Sequence, residues 1–125
     1  MTGATAFDER FDLLRESDQA GDQAIALTRQ VAQAVERDFR LALNEDNGGM
    51  FVTHVAIAVQ RLIDGVALDT PPAVVLAEAR ALSGEWAYAE KLAASLTTAL
   101  GKTVPEGEIG YLTLHLARLK QEANG

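Results

Sequence analysis

Apolar positions in this chain recur at steps of three and four over long stretches, and no stretch alternates with period two for long enough to suggest a strand. From Ala6 to Gln19, Phe7, Phe11 and Leu14 are spaced four and three apart, and Thr5 with Asp8 resembles a capping box. After a break at Gly21, Asp22 reads as the N-cap of a long helix that ends near Leu43. Ile25, Thr28, Ala32, Val35, Phe39 and Ala42 line one face of it. Asn44-Glu45-Asp46-Asn47-Gly48-Gly49 has the composition of a turn. Met50 to Asp64 is helical again, with Val52, Val55, Val59, Leu62 and Ile63 apolar and Gly65 as C-cap.

Thr70 and Pro71 then read as the cap and first residue of a helix through Val74, Val75, Leu76 and Ala79 to Leu82. Ser83-Gly84 marks a kink or break. Glu85 to Leu100 carries Trp86, Ala89, Ala93, Leu96 and Leu100 on one face and ends at Gly101. The last helix, Val104 to Lys120, opens on Pro105 and bears the stripe Ile109, Leu112, Leu116 and Leu119. Glu122 to Gly125 reads as a frayed tail. These segments predict an all-α fold over residues 1–125: an antiparallel bundle of about five main helices, with the Ala6–Gln19 helix as an optional extra.

Composition narrows the functions open to such a bundle. The 125 residues are 48% apolar, enough for one domain with a real core. There is no cysteine, which removes disulfides, thiolate metal sites and cysteine nucleophiles. The net charge of −7 argues against direct contact with nucleic acid or an anionic membrane, both of which need a basic face. No signal peptide and no apolar run of membrane-spanning length is visible, so a cytoplasmic location is expected.

Candidate chemistry concentrates on two histidines. His115 lies beside the apolar stripe of the last helix, in a row with Tyr111 four residues before it and Arg118 three residues after it. His54 lies on the flank of the Met50–Asp64 helix, in a row with Ala58 and Arg61. Each imidazole therefore shares a helix flank with a guanidinium. No phosphate-cradling glycine loop or nucleophile elbow is present. Nor does either histidine form a Glu-x-x-His metal motif, since Phe51 and Leu112 stand three residues before them. A metal site would need ligands drawn from different helices, such as His54, His115 and Glu108. Without a joint function, the histidines would be ordinary flank residues, Glu106 and Glu108 would compensate the helix dipole, Arg61 and Arg118 would be solvated, Ala56, Ala58 and Thr113 would allow close packing, and Trp86 would be core.

Pro105-Glu106-Gly107-Glu108-Ile109-Gly110-Tyr111-Leu112-Thr113-Leu114-His115 resembles the second histidine motif of the PTS regulation domain (PRD). The stretch from Thr53 and His54 through Ala58 and Arg61 to Gly65 resembles the first motif, and the segment between resembles the paired middle helices of the family. The resemblance covers about residues 20–120. It implies a regulatory module, not an enzyme, belonging to the phosphoenolpyruvate-dependent sugar phosphotransferase system. It also implies His115 and His54 as phosphoacceptors, with Arg61, Arg118 and Tyr111 near the phosphate and no cofactor or metal. The phosphodonor would be HPr or a sugar permease subunit. Phosphorylation would switch the packing of a homodimer, or the binding of a regulator in trans, in the control of transcription.

The chain departs from the family pattern in holding one PRD with no nucleic-acid-binding module, and in placing Thr53 before His54 where a carboxylate is common. The expectation is a stand-alone single PRD acting in trans, with a fragment of a larger regulator as the alternative. Two other functions remain open: a helical protein-interaction domain that is not phosphorylated, and a metal-binding bundle using both histidines.

Overall fold

The structure, a computed structural model, describes residues 7–66 and 70–124, and among these it contains six helices and no strand. They are α1 (Asp8–Glu16), α2 (Asp22–Phe39), α3 (Glu45–Asp64), α4 (Ala73–Ala81), α5 (Ser83–Leu100) and α6 (Glu106–Asn124). The all-α bundle is as expected, and the short N-terminal helix is present. The Thr5 cap lies outside the described residues.

Two helices act as hubs. α3 packs against α1, α2 and α6; α6 packs against α3, α4 and α5. The periodic faces explain why. Val52, Val55, Ala56, Val59 and Leu62 of α3 are buried, as are Leu112, Leu116 and Leu119 of α6, and they share one core with Ile25, Val31 and Val35 of α2 and Leu92, Ala93 and Leu96 of α5. Phe7, Phe11 and Leu14 bring α1 into the same core. Each large side chain buried in this way contributes about 1.5–3 kcal/mol.

Several boundaries differ from those the sequence suggests, each for a local reason. Asn44–Gly49 is not a turn. Asn44 caps α3, and Asn44 and Asn47 exchange side-chain-to-backbone hydrogen bonds of 2.8 and 3.0 Å. Gly48 and Gly49 are helical, where a Cβ would crowd Phe7 and Leu43 in one case and the Arg10 guanidinium in the other. α2 starts after Gly21, because the Asp22 carboxylate is held by Arg15 at 2.8 Å and does not cap the helix. It stops at Phe39, where Arg40 turns left-handed (φ 54°) and sends Leu43 into the core.

α4 begins at Ala73, two residues later than expected, because a residue followed by proline is disfavoured in the helical region and Pro71 precedes Pro72. Pro105 precedes the first helical residue of α6, and its carbonyl accepts from the Glu108 and Ile109 amides. α6 continues through the expected tail to Asn124, with Arg118 donating to Glu122 at 3.2 Å. Trp86 is only partly buried, with the Arg80 guanidinium 5.4 Å above its ring.

Gly110 shows how closely α4 approaches α6. A Cβ there would lie 2.9 Å from Leu76 Cδ1 and 3.8 Å from Ala79 Cβ, whereas a Cβ on Gly84 of α5 would meet nothing. Gly110→Val is expected to destabilise the protein by about 1–2 kcal/mol through overpacking. Gly84→Ala should be neutral or stabilise it by up to ~1 kcal/mol through helix propensity. Urea unfolding of the two variants checks the pair, and equal midpoint shifts would contradict the packing described for α4 and α6.

Candidate functional site at the seam of α3 and α6

The two hub helices meet along faces that both carry chemistry. On α3, His54, Ile57, Ala58 and Arg61 fall within two turns on one side; on α6, Glu108, Tyr111 and His115 do the same. Together these seven residues line a surface pocket of about 370 Å³. The ring centroids of His54 and His115 are 4.6 Å apart, with the rings tilted at 36°. The Tyr111 ring lies 5.7 Å from His54, and the Phe51 ring meets His115 edge-on at 6.4 Å. Ala56, Ala58 and Thr113 are buried, and Thr113 returns its hydroxyl to the Ile109 carbonyl at 2.8 Å. These small or self-satisfied side chains let the two helices come close enough for the imidazoles to touch.

The shortest polar contact in the pocket joins the helices directly. His54 Nε2 lies 2.5 Å from Glu108 Oε1. The Glu108 side chain is 8% exposed and that of His54 is 28% exposed. Glu108 does sit in the first turn of α6, as dipole compensation requires, but its carboxylate is turned inward onto an imidazole. Glu106 has the exposed position and pairs with Arg80 of α4.

The residue before His54 is occupied elsewhere: Thr53 Oγ1 accepts from Arg10 Nη1 of α1 at 2.7 Å, and Arg10 is also held by Glu45. The carboxylate absent from position 53 is thus supplied to His54 from α6. Its signal in the sequence is the spacing Glu108, Tyr111, His115, which puts all three on one helix face.

The expected cations take different roles. Arg61 lies in the pocket wall, and no ion pair engages it among the described residues. Arg118 is turned away to Glu122, so it reaches the site through its charge and not through contact. Burial, with further contributions from His54 and the Arg118 charge, pushes the His115 imidazole down to about 4, against an opposing pull from Glu108. His115 is therefore neutral at pH 7, with a lone pair available in the ring plane. His54, His115 and Glu108 do come together, yet among the described residues no group of three or more His, Asp or Glu side chains is placed to hold a metal ion.

The family model of the PRD domain matches residues 24–119, and the chain belongs to this family. It is a PTS regulation domain, a regulatory and not a catalytic class of module. The match starts within α2 and ends within α6, so it includes the whole pocket and leaves α1 outside. No curated protein and no solved structure matches the chain. Among the described residues no helix is long and apolar enough to cross a membrane.

The depressed His115 value has a direct thermodynamic consequence. A histidine that is harder to protonate in the folded state leaves stability intact above its unfolded value near 6.5 and removes it as pH falls toward 4. The loss attributable to His115 should be ~1–3 kcal/mol, the upper end being full linkage and the lower allowing for partial solvent exposure. Urea midpoints of wild type and His115→Gln, compared between about pH 7.5 and pH 4.5, check this. The variant should lose less stability across that interval, and parallel losses would contradict the assigned burial.

Proposed function

We propose that this domain accepts phosphate on His115 and His54 from the histidine-containing carrier HPr or from a sugar permease subunit, and that the phosphoryl group switches how the domain packs against a partner. The observation that carries this reading is the pair of imidazoles side by side on one open pocket with Arg61 in its wall. Burial of both rings beneath apolar side chains would have favoured a purely structural interaction domain. Here both remain partly exposed.

The chemistry suits the geometry. A neutral imidazole nitrogen is a competent nucleophile, and a guanidinium can pair with phosphoryl oxygens. A phosphoryl group brings a charge of roughly −1.5 to −2, a value for phosphate on hydroxyl side chains that serves as a guide. Placed in this pocket, that charge attracts Arg61, repels Glu108 and biases the seam between α3 and α6. A second copy of the domain is the favoured partner, since the commonest closed arrangement is twofold. A regulator bound in trans, acting on transcription in the cytoplasm, is the corresponding output.

The test is incubation with phosphoenolpyruvate, enzyme I and HPr from the same organism, with and without its permease subunits. Label should be lost in acid and kept in base, as expected for phosphate on nitrogen. It should fall in His115→Ala and vanish in the double variant with His54→Ala. A folded wild type that takes no label from any cognate donor would overturn the acceptor reading and leave the interaction domain. Label persisting in the double variant would overturn the site assignment, because the chain has no third histidine. Sedimentation of the labelled and unlabelled protein should show a change in dimerisation.

A further inference from the structure

Building on that acceptor reading, we infer that Glu108 is a positioning residue that holds His54 as the Nε2–H tautomer, and so makes Nδ1 the atom of His54 that takes the phosphoryl group.

A carboxylate has lone pairs and no proton, so the proton in the 2.5 Å contact belongs to His54 Nε2. Attack on phosphorus requires the neutral ring, which carries one N–H; with that proton on Nε2, the lone pair lies on Nδ1. The contact forms where the Glu108 side chain is almost fully enclosed, and breaking it would strand a buried charge. Among the described residues Glu108 is the one hydrogen-bond partner of the His54 ring, and the neighbouring Thr53 is engaged by Arg10. His115 makes no hydrogen bond among the described residues, so it serves as an internal control for the effect.

The transfer balances without a further reactant. The Nδ1 lone pair attacks phosphorus, and the phosphorus–nitrogen bond of the donor breaks. The electron pair leaves with the donor nitrogen, and the proton stays on His54 Nε2. The ring thereby gains positive charge as the new bond forms, and Glu108 stands against the nitrogen that shares this charge. Attack through Nε2 would instead require the Glu108 contact to open and the proton to move to Nδ1.

Two measurements test the assignment on the full chain in the His115→Gln background, where His54 is the only imidazole. The first is the nitrogen-15 spectrum of labelled histidine, which reports the tautomer before any phosphorylation. The second is reaction with phosphoramidate, followed by nitrogen–phosphorus correlation to locate the new bond. The expected result is an Nε2–H tautomer and phosphorus on Nδ1. Glu108→Gln should mix the tautomers and slow labelling of His54 by about tenfold or more, by analogy with other imidazoles that lose an orienting carboxylate. In the His54→Gln background, Glu108→Gln should change labelling of His115 far less. If His115→Gln does not fold, the same spectra are read from wild type, with the two rings assigned by comparison with His54→Gln.

An Nδ1–H tautomer, phosphorus on Nε2 of His54, or an unchanged tautomer and rate in Glu108→Gln would overturn the role of Glu108 in a protein that still takes label. A protein that shows the Nε2–H tautomer but takes no label from phosphoramidate or the carrier chain loses the acceptor reading, and the Nδ1 assignment falls with it.

Discussion

A single enclosed carboxylate sets the terms for the centre of this bundle. Glu108 points into the seam of α3 and α6, and its only side-chain partner among the described residues is His54. An ionised group removed from water costs several kcal/mol unless a well-placed partner compensates it. The pairing therefore constrains the whole helix contact. Sliding α6 by one turn against α3 would displace Glu108 by about 5.4 Å, and rotating either helix would turn one partner away. The chemistry of the pocket and the register of the two hub helices are consequently one constraint.

The neighbouring packing is consistent with that constraint. α6 is pressed against α4 at Gly110, where no Cβ intervenes, and the Arg80–Glu106 pair joins the same two helices at the start of α6. At the other end of α3, Lys102 donates to the Leu62 and Ile63 carbonyls at 2.9 and 2.7 Å, closing backbone acceptors that the helix leaves open. Charged side chains thus hold the ends of the hub helices while apolar stripes hold their middles. The pocket lies between, open at the surface, with the His54 side chain 28% exposed.

Much of the fold could be read directly because its signals are local. A three-and-four spacing, a glycine at a C-cap and a proline near a start each act within a few residues, and Gly65 and Gly101 do end helices in the left-handed conformation. Asn44–Gly49 misleads for the converse reason. Its composition suits a turn, and it becomes helical through the reciprocal Asn cap and through space left for Phe7, Leu43 and Arg10, which depends on how α1 is docked. The site divides in the same way. The flank rows of His54 with Arg61 and of His115 with Tyr111 follow from spacing within one helix. The His54–Glu108 contact spans 54 positions and depends on the relative register of two helices, which no local pattern encodes. The departure of Arg118 toward Glu122 is likewise a choice between two neighbours that spacing alone leaves equal.

The docking of α1 has a consequence for how the domain opens. Arg10 bridges Glu45 in the first turn of α3 and Thr53 two turns further on, while Phe7 and Phe11 are sealed into the core. α1 therefore splints the N-terminal half of α3, including the turn that ends at His54. Native proteins open in cooperative pieces whose free energies differ widely. Fraying of the N-terminal half of α3 would break the Arg10 contacts to Glu45 and Thr53, so its opening is coupled to the docking of α1. Residues outside the family match thus brace the backbone that carries one of its two histidines.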